Sequence, residues 1–143
     1  MLLAKLFAAL GIVLATCVFL RLPSGTPVDI HLQATYLVVT SGFLLRFCAL
    51  ASAFAAVIYY AGSRWLQVEW NQTLGIVHFS FFLIAIVLVL GAARWTTAAV
   101  DQQSEAVLRS LIPGVVGMCF FLLSGLVFAV NLIWTTIRFL HTR

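Results

Sequence analysis

Three histidines, His31, His78 and His141, are the side chains here best suited to bind a metal or move a proton. His31 stands two residues after Asp29 in the Pro- and Gly-bearing stretch LPSGTPVDIH. Two ligands without a third rarely specify a metal, so a solvated loop pair is the plainer reading of that site. His78 stands near the start of an apolar run, where a hydrogen bond between helices competes with a cofactor role and is the plainer of the two. His141 belongs to a basic tail. Cys17, Cys48 and Cys119 sit in three different apolar segments with no CxxC spacing. They read as small buried hydrophobes rather than a zinc site or redox pair. No Ser-His-Asp set, paired carboxylates or Gly-rich phosphate loop stands in a catalytic setting. Asn71-Gln72-Thr73 is formally a glycosylation sequon, discounted because its loop is expected to face the cytoplasm.

The elements that must position these residues follow from composition. The chain has 143 residues, 64% of them hydrophobic and 8% charged, with a mean hydropathy of +1.14. A soluble domain has too little polar residue at that composition to cover its outside, so lipid is the solvent. The eight Lys and Arg, for a net charge of +4, are scattered, which excludes a nucleic-acid patch or a polybasic lipid tether. A helix crossing the hydrocarbon core needs about 20 apolar residues. Four spans meet that length, at residues 2–20, 35–60, 74–93 and 111–137. They are separated by LPSGTPVDIH, AGSRWLQVEWNQT and the polar run TTAAVDQQSEAVLRS. Lys5 before an apolar run, ending in LATC, imitates a secretory signal, but retention as a helix is expected.

Small residues mark the packing faces: Ala49, Ser52, Ala53 and Ala56 in the second span, Gly114, Gly117 and Gly125 in the fourth. The expected fold is all-α, an integral membrane four-helix bundle forming one domain over 1–143, or four helices docked into a larger bundle. Trp65, Trp70, Trp95 and Trp134 lie near span ends, as interfacial aromatics do. With both termini in the cytoplasm, Lys5, Arg64, Arg138 and Arg143 fall inside and Arg21, Arg94 and Arg109 outside, a small excess of the expected sign.

Arg46 stands about eleven residues into the second expected span, near mid-membrane, where a charge costs about 2.5 to 3.5 kcal/mol on insertion scales. All four acids, Asp29, Glu69, Asp101 and Glu105, fall in the expected loops. Three readings are open: snorkelling over roughly 15 Å of helix, bonds to carbonyls and hydroxyls such as those of Thr40 and Ser41, or a carboxylate on a partner chain.

Two stretches carry a resemblance. DIHLQATYLVV leads to FAAVIYY at Tyr60, and WNQTLGIVHF follows at 70–79. In order and spacing, Asp29, Ile30, Thr35, Tyr36, Val38, Val39, Ile58, Tyr59, Tyr60, Asn71, Thr73, Leu74, Gly75, His78 and Phe79 resemble subunit I of the haem–copper oxidases around its tenth and eleventh helices. PGVVGMCFFLLSGLVFAVNLIWTTIR is similar to the last helix of the nitric oxide reductase and C-type branch, with Asn131 and Leu132 at its Asn-Leu pair. The first span then stands for helix nine. The resemblance covers nearly the whole chain but only the last third or so of a full subunit I.

What the resemblance implies is a lost centre. The two haem-ligating histidines of helix ten correspond to Ser41 and Phe43, and the family's metal-binding His-Asp pair to Gln33 and Ala34. Serine is a poor iron ligand and phenylalanine has no lone pair to offer. The copper ligands belong to earlier helices that this chain lacks. The expectation is therefore no cofactor in the isolated chain, no oxygen reduction by it, and a role as accessory subunit or assembly partner of a respiratory terminal oxidase in the bacterial inner membrane. Its partners would be the lipid bilayer and oxidase subunits, with Arg46, His78 and Asn131 as docking or packing residues. A haem-binding electron carrier using His78 or His31 is the competing expectation. A small bundle for metal delivery or transport is a third, without the broken helices such proteins show.

Overall fold

The computed structural model describes residues 1–20, 27–32, 35–65, 67–99 and 104–141, of which 27–32, 35–41, 93–99 and 104–111 are described by backbone alone. Helix α1 runs Leu2–Phe19, strands β1 and β2 run Pro27–Leu32 and Thr35–Thr40, and helices α2, α3 and α4 run Ser41–Arg64, Gln72–Ala99 and Ser104–His141. All four helices are long and apolar enough to cross a membrane. The fold is thus all-α in its membrane part, with one antiparallel hairpin before α2.

That hairpin moves a boundary. The second span, expected from residue 35, starts at Ser41, because Thr35–Thr40 pairs with β1 in the register Pro27↔Thr40 to Leu32↔Thr35. TYLVVT is rich in β-branched and aromatic residues, which favour a pleated strand over a helical turn. Two strands leave open edges that hydrocarbon cannot satisfy, so the spanning part of this segment is the helical Gly42–Arg64. Arg46 consequently lies in the second turn of α2, about 7.5 Å from its start and well short of the helix midpoint. Its side chain is exposed, and a guanidinium stem reaches an interface from that depth.

The last two helices are longer than the expected spans. α3 continues to Ala99 and α4 begins at Ser104, so most of the polar run between them is helical. Its Ala, Gln, Glu, Leu and Arg are good helix formers, and their polarity says only that this part leaves the lipid. Pro113 lies inside α4, at the start of its apolar stretch Ile112–His141.

Packing is densest within two sequential helix pairs, α1 on α2 and α3 on α4. Gly11 brings α1 onto the α2 backbone, where a Cβ would stand 3.5 Å from Ala53 N and 3.7 Å from Ala49 O. Gly117 does the same for α4, where a Cβ would meet Val89 Cγ2 at 2.8 Å and Val89 N at 3.2 Å. One serine ties each pair: buried Ser52 Oγ donates to the Phe7 carbonyl at 2.7 Å, and buried Ser124 Oγ to the His78 carbonyl at 3.0 Å. Ser52→Ala is expected to cost about 0.6 kcal/mol, the average for interhelical bonds in lipid, because the Phe7 carbonyl keeps its intrahelical acceptor role. Denaturant unfolding in mixed micelles measures it.

Between α2 and α3 the chain turns back sharply. Gln67 takes a left-handed φ of 51°, uncommon for a residue with a side chain, and the Val68 N–H reaches the Gly62 carbonyl at 3.0 Å. This fold-back lays Trp70 against Gly62. Asn71 then caps α3 by accepting the Leu74 N–H at Oδ1, 3.2 Å away.

Candidate functional site

Beneath this turn the four helices share one buried cluster. Phe7 of α1 is fully buried and stacks on Tyr59 of α2, ring centroids 5.7 Å apart. His78 of α3 lies between two rings, Phe7 at 4.8 Å and Phe128 of α4 at 5.0 Å. Trp70 meets Tyr59 edge-on at 4.9 Å. The helix positions follow from spacing: Tyr59 stands five residues before the end of α2, and His78 six residues into α3. That depth is about 7.5 to 9 Å along the helix axes, so the cluster lies near the end of the bundle where α1 starts and α4 finishes.

The polar atoms of the cluster form a chain. Tyr59 Oη lies 3.1 Å from His78 Nδ1, and Asn131 Nδ2 donates to Tyr59 Oη at 3.4 Å. The second Nδ2 hydrogen serves the Asn71 carbonyl, also at 3.4 Å. A carbonyl only accepts, so the Asn131 amide must face it with its nitrogen. The Tyr59 oxygen accepts from Asn131 and shares a second bond with His78 Nδ1, whose direction follows the imidazole tautomer. Tyr59 therefore joins α2 to α3 and α4 at once, in an interior where an unmade hydrogen bond is costly.

The sequence-derived candidates separate. His78 and Asn131 meet in this cluster, 5% and 0% exposed. Arg46 lies away from it near the opposite end of the bundle, and Phe43, in the first turn of α2, is 60% exposed. Ser41 is the first residue of α2 and His31 lies in β1, both described by backbone alone. Gln33 and Ala34 lie outside the described residues. His141, exposed, returns Nδ1 to within 3.2 Å of the Ile137 carbonyl.

Trp70, next to the start of α3, packs onto Tyr59, and its indole nitrogen is buried. Tyr59, Ser124 and Thr135 were not singled out as polar partners. The signal was present as a polar group repeated on the small-residue faces of apolar helices, Ser52 and Ser124 each within a turn of Gly or Ala.

Among the described residues no group of three His, Cys, Asp or Glu is placed to hold a metal. The arrangement can fix four helices and orient one imidazole. Compared with known proteins, the chain matches no family model, no curated protein and no solved structure.

Proposed function

We propose that the chain is a non-catalytic integral membrane subunit, or assembly partner, of a respiratory terminal oxidase, resident in the bacterial inner membrane. The observation that carries this reading is Phe43. It occupies a position that holds an iron ligand in the resembled family, and here it opens an outward apolar row on α2. Phe43, Phe47, Leu50, Phe54 and Val57 follow at alternating spacings of four and three, and all are 48% exposed or more. That spacing makes the seam with which one helix packs on another. Phe47 in this row meets Phe121 of α4, ring centroids 5.8 Å apart. The exposed Leu50, Phe54 and Val57 suit lipid or a neighbouring helix, and exposed Arg46 beside the row supplies a charge for such a neighbour.

Phe43 has no donor atom, and His78 is buried with its Nδ1 beside Tyr59, which leaves Nε2 as the one ring nitrogen a haem could use. A second support is that Tyr59, Asn71, His78 and Asn131, four landmarks of the resemblance, converge on one cluster.

Affinity purification of the tagged chain from its native membrane tests the proposal. Oxidase subunits are expected in the eluate, and the chain alone should show no Soret band. Eluates free of oxidase subunits would overturn it. A Soret band lost in His78→Ala would establish the haem-carrier reading instead. Arg46→Leu is expected to reduce co-purification several-fold without shifting the unfolding midpoint, since the side chain is exposed. A reporter fused after Arg143 reads the orientation.

A further inference from the structure

Three polar atoms beside the cluster are buried with no protein partner: Trp70 Nε1, Asn131 Oδ1 and Thr135 Oγ1. Trp70 and Asn131 are connected through shared partners, and Thr135 lies one helical turn from Asn131. Trp70 precedes Asn71, whose carbonyl holds Asn131, and its ring packs on Tyr59, which also holds Asn131. Thr135 follows Asn131 by one turn on the same face of α4, and is 3% exposed.

Their chemistry is complementary and directional. The indole nitrogen only donates, and the amide oxygen only accepts. The Asn131 amide cannot be reversed to relieve this, because its nitrogen is required by the Asn71 carbonyl. Thr135 is also telling. Thr16 and Thr136 return their hydroxyls to the carbonyl four residues back, at 2.9 and 2.8 Å. Thr135 makes no such bond, so its buried hydroxyl remains available to a water.

A cavity of about 460 Å³ reaches Trp70 and Tyr59 but not Asn131 or Thr135. Tyr59 and Trp70 line it, and so do Ser63, Glu69 and Gln72, which make its wall polar. Polar groups buried in a membrane protein are satisfied by protein or by water that can reach them.

We propose that Trp70 Nε1, Asn131 Oδ1 and Thr135 Oγ1 form a hydration site that holds one or two ordered waters, filled from the cavity at this end of the bundle. A water accepts from the indole, donates to the amide oxygen and completes the threonine hydroxyl, which no single donor or acceptor does. The site links bulk water through Asn131 and Tyr59 to His78, an imidazole otherwise enclosed by Phe7 and Phe128.

The test uses the full chain in lipid nanodiscs with ¹⁵N-labelled tryptophan. The Trp70 indole signal is assigned by its loss in Trp70→Phe. A cross-peak from the Trp70 Hε1 to a long-lived water is expected. It should fall by at least half in Thr135→Val and persist in Thr135→Ser, with the other three indole signals unchanged. A Trp70 indole without a water cross-peak, while that of exposed Trp65 has one, would overturn the proposal. So would a cross-peak to lipid headgroup protons in its place, or one unaltered in both Thr135→Val and Asn131→Leu.

Discussion

Tyr59→Phe is expected to be the most damaging single-atom change in the protein. The ring remains, so its contacts with Phe7, Trp70 and Phe128 persist. What disappears is the oxygen that receives Asn131 Nδ2 and serves His78 Nδ1. One interhelical bond in lipid averages only about 0.6 kcal/mol. Leaving a buried partner unmatched costs about 1–3 kcal/mol, and here two partners are left together. The second effect decides, and the expected loss is about 2–4 kcal/mol in reversible unfolding. His78→Phe made in the Tyr59→Phe background should cost less than in the parent, because one unpaired group is removed. Additive losses in that cycle would mean that the two side chains do not act as a pair.

Gly62→Ala is the second large effect. A Cβ there would run into the six-membered ring of Trp70, meeting Cζ2 and standing 2.8 Å from both Cε2 and Nε1. An indole is rigid, so the ring must leave Tyr59 or the turn must open. Overpacking of this kind costs about 1–3 kcal/mol. Trp70→Phe frees the space, so the double variant should be more stable than Gly62→Ala alone. Gly125→Ala is the contrast, since nothing stands within 4 Å of its Cβ position. There a helical Gly→Ala change should stabilise by about 0.5–1 kcal/mol. Thermal unfolding in detergent ranks the three.

Much of the architecture was legible in the residues. Apolar length alone specifies four spanning helices, because lipid leaves the backbone no other economical way to satisfy itself. The start of α2 was not, since TYLVVT is as apolar as a helix and differs from one only in β-branching. That error carried Arg46 with it. Once Arg46 joins the far end of the bundle, the cations divide four against four, and the charge bias no longer selects an orientation. His78 and Asn131 were legible because polar residues in apolar runs are conspicuous. Their meeting was not, because it depends on Tyr59, which lies 19 residues from one and 72 from the other. A tyrosine close to a span end reads as an interfacial residue until its neighbours in space are known.

The two serine ties have a consequence for assembly. Ser52 closes α1 on α2, and Ser124 closes α3 on α4, so each helix pair carries its own fastening. The pairs touch each other far less, and among the described residues Tyr59 bridges them, to His78 of α3 and to Asn131 of α4. A chain built this way can enter the bilayer as two successive hairpins, each complete before the other arrives, and lock afterwards through a handful of polar atoms. Split within the turn at 65–67, the two halves co-expressed should find one another in the membrane, and Tyr59→Phe should keep them apart.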